Sequence, residues 1–150
     1  MIEDIRNFLK LAENLLSSGM PTAEQMKSVA ETGVNVVINL APFDAKTDLA
    51  NEGALVESLG MKYVNIPVDW EAPTRQNFDE FIKAMDENQN EKIFVHCRAN
   101  YRATGFITLY RIKRLGWKQD EAFKDLRRIW NPDEYPIWKK FIEENLSAKS

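Results

Sequence analysis

The chain's only histidine and only cysteine stand with two arginines in the segment His96-Cys97-Arg98-Ala99-Asn100-Tyr101-Arg102. The three apolar residues before it, Ile93 to Val95, are typical of a buried strand, and a helical pattern begins near Ala103. A loop between a strand and the start of a helix directs backbone N–H groups and the positive end of the helix dipole to one point. This segment is therefore predicted to bind an anion.

The same loop favours the ionised form of a thiol, and Arg102 adds a second positive charge. A thiolate inside an anion-binding loop suits cysteine-based phosphoryl or sulfur transfer. A lone cysteine after an apolar strand is usually only a small buried hydrophobic residue. The flanking His96, the arginine and the helix start favour a chemical role for Cys97 over that simpler interpretation.

Charge is distributed unevenly along the 150 residues. Residues 1–90 carry 7 Lys and Arg against 15 Asp and Glu, a net charge of −8, whereas residues 91–150 carry 13 against 8, a net charge of +5. The half that holds Cys97 is the positive one, which suits an anionic substrate. The overall charge of −3 argues against a dedicated nucleic-acid binder.

Composition predicts one globular domain over residues 1–150, with 44% hydrophobic and 29% charged residues. No run approaches the ~18 apolar residues of a membrane-spanning helix. The N-terminus lacks the order of a signal peptide, so a cytoplasmic location is expected, or a periplasmic one if a leader was removed. A single cysteine excludes an internal disulfide, and with one histidine it cannot form a structural zinc site. We expect no metal and no cofactor, and the oligomeric state stays open.

Strands are predicted at 34–40, 62–68 and 92–96, with helical patterns between them. This rhythm is typical of βαβ units and predicts an α/β domain of three layers, with a mainly parallel central sheet flanked by helices. The ligand site of such a sheet lies beyond the carboxyl ends of its strands, where Asp69 and Cys97 are both expected.

Two segments outside this rhythm are also assigned. Apolar spacing predicts a helix from Ile2 to Leu16, with Leu15–Ser18 compatible with a short edge strand instead. Trp130-Asn131-Pro132-Asp133 has the residue order of a helix start, and we interpret it as the cap of the last helix.

The order strand, His-Cys, arginine loop and helix resembles the protein tyrosine and dual-specificity phosphatase superfamily. More narrowly, the chain is similar to the bacterial, eukaryotic-like (DUF442-like) phosphatase group over roughly residues 12–115. Four segments carry that likeness: Ser18–Thr22, Gly33–Leu40, Ile66–Asp69 and Val95–Cys97. The resemblance implies a cysteine phosphatase-like fold and hydrolysis of a phosphorylated protein or small molecule.

Carried over position by position, the resemblance makes Cys97 the nucleophile, Arg102 the planar clamp on two phosphate oxygens, and Asp69 the general acid. His96 and Thr104 are expected to support the loop, His96 by helping to keep the thiolate. The residues expected to contact phosphate lie in the loop and at the start of the following helix: Arg98, Ala99, Asn100, Tyr101, Arg102 and Ala103.

One departure from the superfamily leaves alternatives open. The superfamily has five residues between cysteine and arginine, whereas four separate Cys97 from Arg102 here, and Ala103 stands where the arginine is expected. Asn100 replaces a common loop glycine, and asparagine tolerates the left-handed conformation better than most residues. The short loop allows a phosphate- or sulfate-binding domain that has lost turnover. It also allows a rhodanese-like sulfurtransferase, in which Cys97 carries a persulfide and Asp69 has no catalytic task.

Overall fold

A computed structural model describes residues 1–45 and 48–148. In these residues the strands are β1 Leu9–Ala12, β2 Leu15–Ser18, β3 Val36–Asn39, β4 Lys62–Asn65 and β5 Ile93–His96. The α-helices are α1 Ala23–Glu31, α2 Glu52–Ser58, α3 Arg75–Glu87, α4 Tyr101–Lys113, α5 Gln119–Arg127 and α6 Pro136–Ser147. Two short 3-10 helices span Ile2–Asp4 and Pro132–Glu134.

The strands form one sheet in the order β1-β2-β5-β3-β4. β1 runs antiparallel to β2, and the other pairings are parallel. β5 therefore lies at the centre of the sheet, and the loop that follows it emerges between the ends of β2 and β3.

Helices cover both faces of the sheet. Val37 and Phe94 pack against α1 and α2, whereas Val36 and Val95 belong to the core shared with α3, α4, α5 and α6. Because successive strand residues point to opposite faces, every residue of β3 and β5 is buried. The predicted three-layer, mainly parallel α/β fold is confirmed.

Local capping signals set the boundaries of α1 and α3. Thr22 accepts a hydrogen bond from the Gln25 N–H, and the Gln25 side chain accepts one from the Thr22 N–H. Thr74 and Asn77 make the same reciprocal pair at the start of α3. Each pair satisfies two N–H groups that a helix terminus otherwise leaves unbonded.

The predicted helix from Ile2 to Leu16 is wrong. Only Ile2–Asp4 is helical, and the rest of the segment forms the hairpin of β1 and β2. The alternative of a strand at Leu15–Ser18 is confirmed, although this strand is internal because it pairs with both β1 and β5. Pairing with a distant strand stabilises β2, and such tertiary pairing overrides a local helical spacing.

Asn131 also differs from its predicted role. Its side chain accepts a hydrogen bond from the Asp133 N–H at 3.1 Å and caps the 3-10 helix Pro132–Glu134, whereas α6 begins at Pro136. Asn131 does cap a helix, as predicted, but that helix is the short 3-10 turn before α6 and not α6 itself. No helix in the described part of the chain is both long and apolar enough to cross a membrane.

Candidate active site

The loop between β5 and α4 is held from one side by the segment that follows β2. The Met20 N–H donates to the Arg98 carbonyl at 3.0 Å, and the Asn7 side chain donates to the Ala99 carbonyl at 2.9 Å. In a trans peptide the carbonyl and the next N–H point in opposite directions. Asn7 precedes β1, so the loop is held by two separate segments. The Ala99 N–H, which follows the Arg98 carbonyl, therefore points away from the segment after β2, as an anion-binding loop requires.

Asn100 makes the turn from the loop into α4. Its φ of 68° is left-handed, as its replacement of a loop glycine led us to expect. Its side-chain amide donates to the Asn7 carbonyl at 2.8 Å and to the Ser17 hydroxyl at 3.0 Å. These bonds hold an otherwise unfavourable backbone conformation in place.

A cavity of about 240 Å³ opens beside this loop. Cys97 contributes to its lining and is only 1% exposed. The other lining residues come from the loop, from the start of α4 and from two further loops: Trp70, Arg98, Ala99, Tyr101, Arg102 and Tyr135. The structure thus brings Cys97 and Arg102 together at one cavity.

Arg102 is buried in the first turn of α4, and its Nη1 donates to the Val68 carbonyl at 2.8 Å. That bond ties α4 to the segment after β4. A guanidinium has five N–H donors, so one bond to Val68 leaves the group able to bind an anion in the cavity it lines.

The Arg98 side chain is engaged elsewhere. Its Nη2 donates to the Pro42 carbonyl at 2.6 Å and to the Asp48 carboxylate at 2.7 Å. The guanidinium therefore holds the segment after β3 against the loop. The phosphate contact expected of Arg98 stays a prediction for its backbone N–H alone.

Asp69 follows β4 on the edge of the sheet where Cys97 lies, but it is not among the residues that line the cavity. Its side chain is exposed and accepts a hydrogen bond from the Glu71 N–H at 2.9 Å. This bond closes a short turn, a common role of aspartate. Its neighbour Trp70 lines the cavity instead.

Ala103 and Thr104 lie inside the fold. Ala103 is fully buried, and the Thr104 hydroxyl donates to the Asn100 carbonyl at 2.7 Å. That hydroxyl also accepts from the Trp130 indole N–H at 2.9 Å. Neither residue is among those that line the cavity, so Thr104 supports the loop through the first turn of α4.

Five aromatic side chains cluster beside the cavity: Trp70, Tyr101 and Tyr135 line it, and the buried Trp130 and Trp138 pack against them. Tyr101 and Trp130 stack with centroids 5.0 Å apart, Trp70 and Trp138 stack at 5.2 Å, and Tyr135 meets Trp70 edge-on at 5.4 Å. A hydrogen bond with Tyr101 raises the pKa of Tyr135. The sequence did not indicate Tyr135, because no local pattern links it to Cys97.

Below the loop, His96 is fully buried and contacts a residue that the sequence analysis missed. Its Nε2 lies 2.8 Å from the Glu52 carboxylate, and its Nδ1 lies 3.2 Å from the Cys97 carbonyl oxygen. Glu52 opens α2 and is 7% exposed. A buried carboxylate is unusual enough to indicate a task, but burial cannot be recognised in a sequence where Glu52 resembles any acidic residue of a first helical turn.

A central parallel sheet, a cysteine loop at the end of its middle strand and an arginine in the next helical turn define the class of cysteine phosphatase-like α/β proteins. Residues 4–140 match the family described as DSP-PTPase phosphatase fused to NAD+ kinase. A DUF442 protein of Shewanella putrefaciens CN-32, assigned as a phosphatase, is 38% identical over 96% of this chain and 93% of its own, with a TM-score of 0.86. The chain belongs to this DSP-PTPase family.

More distant structures share the fold. Pseudomonas aeruginosa TpbA is 15% identical over 93% of this chain and 84% of its own, with a TM-score of 0.74. The catalytic domain of the Saccharomyces cerevisiae PP-IP phosphatase SIW14 is 18% identical over 93% and 85%, with a TM-score of 0.75. Comparison with the curated proteins gave no match.

Proposed function

We propose that this chain is a cysteine-dependent phosphatase that hydrolyses a phosphomonoester through a phosphocysteine intermediate. The observation that carries the proposal is the shared cavity of Cys97 and Arg102 beside a loop whose carbonyl oxygens are held on the opposite side. Membership of a phosphatase family supports the same reaction type.

In the proposed reaction the Cys97 thiolate attacks phosphorus, so that a sulfur–phosphorus bond forms while the ester bond breaks. Arg102 and the N–H groups from Arg98 to Ala103 hold the phosphoryl oxygens. Asp69 gives its proton to the leaving oxygen and then takes one from the water that cleaves the phosphocysteine. To do so, Asp69 must exchange its bond with the Glu71 N–H for a position at the cavity.

Two contacts favour a second candidate function, a phosphate- or sulfate-binding domain without turnover. Asp69 is occupied in a turn outside the cavity lining, and Arg102 already donates to the Val68 carbonyl. In-line transfer is sensitive to misplacement by about 1 Å, so a loop with a four-residue spacer can bind an anion without turning it over.

Metal-free hydrolysis of p-nitrophenyl phosphate tests the phosphatase. We expect Cys97→Ser to lower the rate by at least about 10³-fold and Asp69→Asn by about 10²-fold or more. Asp120→Asn, an exposed aspartate on α5, serves as the control and should match the parent. Full activity in Cys97→Ser or in Asp69→Asn would contradict the mechanism.

Parallel assays separate the other functions. Phosphate binding in the parent and in Cys97→Ser, without hydrolysis in either, would establish the binding domain. Sulfur transfer from thiosulfate to cyanide that is indifferent to Asp69→Asn would establish the sulfurtransferase.

If hydrolysis is found, the substrate panel follows from the relatives: phosphotyrosyl peptides, because TpbA was solved with phosphotyrosine, and inositol pyrophosphates, because SIW14 is a PP-IP phosphatase. NADP+ completes the panel, because the family description names NAD+ kinase.

A further inference from the structure

A buried polar network lies beneath the cysteine loop, on the α2 face of the sheet. The Asn39 side chain donates to the Tyr63 hydroxyl oxygen at 3.1 Å, and the Tyr63 hydroxyl lies close enough to Glu52 for that carboxylate to help raise the pKa of Tyr63. Glu52 in turn meets His96 Nε2 at 2.8 Å, and His96 Nδ1 meets the Cys97 carbonyl at 3.2 Å. The network thus runs from β3 and β4 to the backbone of the cysteine.

Counting protons along this network constrains His96. A neutral imidazole has one N–H donor and one unprotonated nitrogen, yet both of its partners here are oxygen acceptors if Glu52 is ionised. A neutral ring would leave two acceptors facing each other in a fully buried site, which is unfavourable. The contacts require one more proton, either on His96 or on Glu52.

Tyr63 favours His96 as the site of that proton. Because its oxygen accepts from Asn39, its own proton is free to be donated to Glu52. Burial, with Glu52 nearby, raises the pKa of Tyr63 to about 12, so the hydroxyl stays protonated at neutral pH. A carboxylate that accepts from both Tyr63 and His96 is favoured in its charged form.

We propose that Glu52 is a positioning residue that keeps His96 doubly protonated at neutral pH, so that His96 Nδ1–H donates to the Cys97 carbonyl. Among the described residues, the other titratable groups at this site are the Tyr63 hydroxyl and the Asp48 carboxylate, whose charge acts on Tyr63. His96 was expected only to support the Cys97 thiolate. Here that support depends on Glu52 as the partner of His96 and on a second proton on the imidazole ring.

The consequence for the loop follows from peptide geometry. The carbonyl of Cys97 and the N–H of Arg98 belong to one trans peptide and point in opposite directions. By holding the carbonyl on the buried side, His96 directs the Arg98 N–H away from the network. That N–H is the first of the proposed phosphate contacts, so the link to catalysis rests on the proposed function.

The chain's single histidine makes the test direct. Nitrogen-15 NMR of the intact protein at pH 7.5 reports both nitrogens of one imidazole without overlap. We expect both to be protonated in the parent. A neutral ring in the parent, with either Nδ1 or Nε2 unprotonated, would overturn the proposal without any variant.

Glu52→Gln and Glu57→Gln provide the matched pair, because both glutamates lie on α2 and only Glu52 is buried. A glutamine amide can donate to Nε2 and leave Nδ1–H on the Cys97 carbonyl. We therefore expect Glu52→Gln to contain one protonated and one unprotonated ring nitrogen, and Glu57→Gln to match the parent. Two protonated nitrogens in Glu52→Gln would also overturn the proposal.

Tyr63→Phe is a second variant if Glu52→Gln does not fold. Loss of the Tyr63 hydroxyl makes the Glu52 carboxylate a stronger proton acceptor, so the shared proton should move from His96 Nε2 toward Glu52 in the nitrogen-15 spectrum. A His96 spectrum identical to that of the parent would contradict the role given to Tyr63. None of these readouts depends on turnover. If the imidazole is doubly protonated while phosphatase assays are negative, the proposed function fails and the proton assignment stands.

Discussion

At the scale of single residues, Gly19 is the position where a missing side chain lets the chain close around the cysteine loop. A Cβ at this position would lie 2.4 Å from the Arg98 carbonyl oxygen and 3.1 Å from the Arg6 carbonyl oxygen. The Met20 N–H beside it donates to that Arg98 carbonyl. Both the loop position and the bond therefore depend on glycine.

We predict that Gly19→Ala destabilises the fold by about 1–3 kcal/mol, the range for overpacking a filled site, and weakens phosphate binding at the same time. Gly33→Ala is the matched control. Gly33 has φ +93° and open space around its Cβ position, so alanine there adds backbone strain of roughly 1–2 kcal/mol without touching the loop. Urea denaturation and phosphate titration of both variants distinguish the effects, and normal phosphate affinity in Gly19→Ala would contradict this account.

At the scale of elements, the junction between the loop and α4 rests on Asn100. We predict that Asn100→Ala is less stable than Asn100→Gly, because both variants lose the bonds to Asn7 and Ser17, but only alanine retains a Cβ at φ 68°. The left-handed strain is worth about 1 kcal/mol, and each lost bond about 1 kcal/mol. Urea denaturation of the two variants measures the difference directly, and equal stabilities would show that the backbone is not strained at this residue.

Elements that carry their own local signals could be predicted from the sequence. Thr22 with Gln25 marks the start of α1 by capping-box spacing, and Thr74 marks the start of α3 as a capping residue. The apolar runs that became β3 and β5 indicate buried strands. Local spacing favours a helix across β1 and offers β2 only as an alternative strand. The pairing with β5 that stabilises β2 involves a distant part of the chain, which no local pattern indicates.

The residues of the candidate site also fall into a group that the sequence predicts and a group that it does not. His96, Cys97 and Arg102 lie close together in the sequence, so their spacing alone predicted that they meet where β5 leads into α4. Glu52 and Tyr135 reach the site from distant elements. Residue type alone does not distinguish Glu52 and Tyr135 from the other glutamates and tyrosines of this chain. Only their contacts in the folded structure do.

At the scale of the whole molecule, β5 joins two chemically different faces. Its Phe94 belongs to the core with α1 and α2, and its Val95 to the core with the later helices. His96 continues the first face and meets Glu52, whereas Cys97 belongs to the second. The end of one buried strand thus carries a buried polar network on one side and the candidate nucleophile on the other.

Half-buried Tyr63 and buried Tyr110, one on each face of the sheet, predict how the stability of the whole fold responds to alkali. Burial raises the pKa of Tyr63 and of Tyr110 to about 12 each, and the bond of Tyr110 to Asp86 contributes. In the unfolded chain both ionise near their ordinary value of about 10. Their contribution to stability is therefore fully present below about pH 10 and is lost as the pH rises toward about 12.

We expect the free energy of unfolding to fall by about 1 kcal/mol per tyrosine over that interval, less than the full shift implies because both sites are partly screened by solvent. Tyr110→Phe should lower stability at neutral pH through its lost bond to Asp86, yet flatten the decline between about pH 10 and 12. Trp117→Phe, a surface aromatic without a titratable group, controls for general alkaline damage. Urea denaturation across this pH range measures the slopes. If the free energy of unfolding falls equally steeply in Tyr110→Phe and in the parent, Tyr110 has the same pKa in the folded and unfolded chains. Burial of its hydroxyl would then not make stability depend on pH.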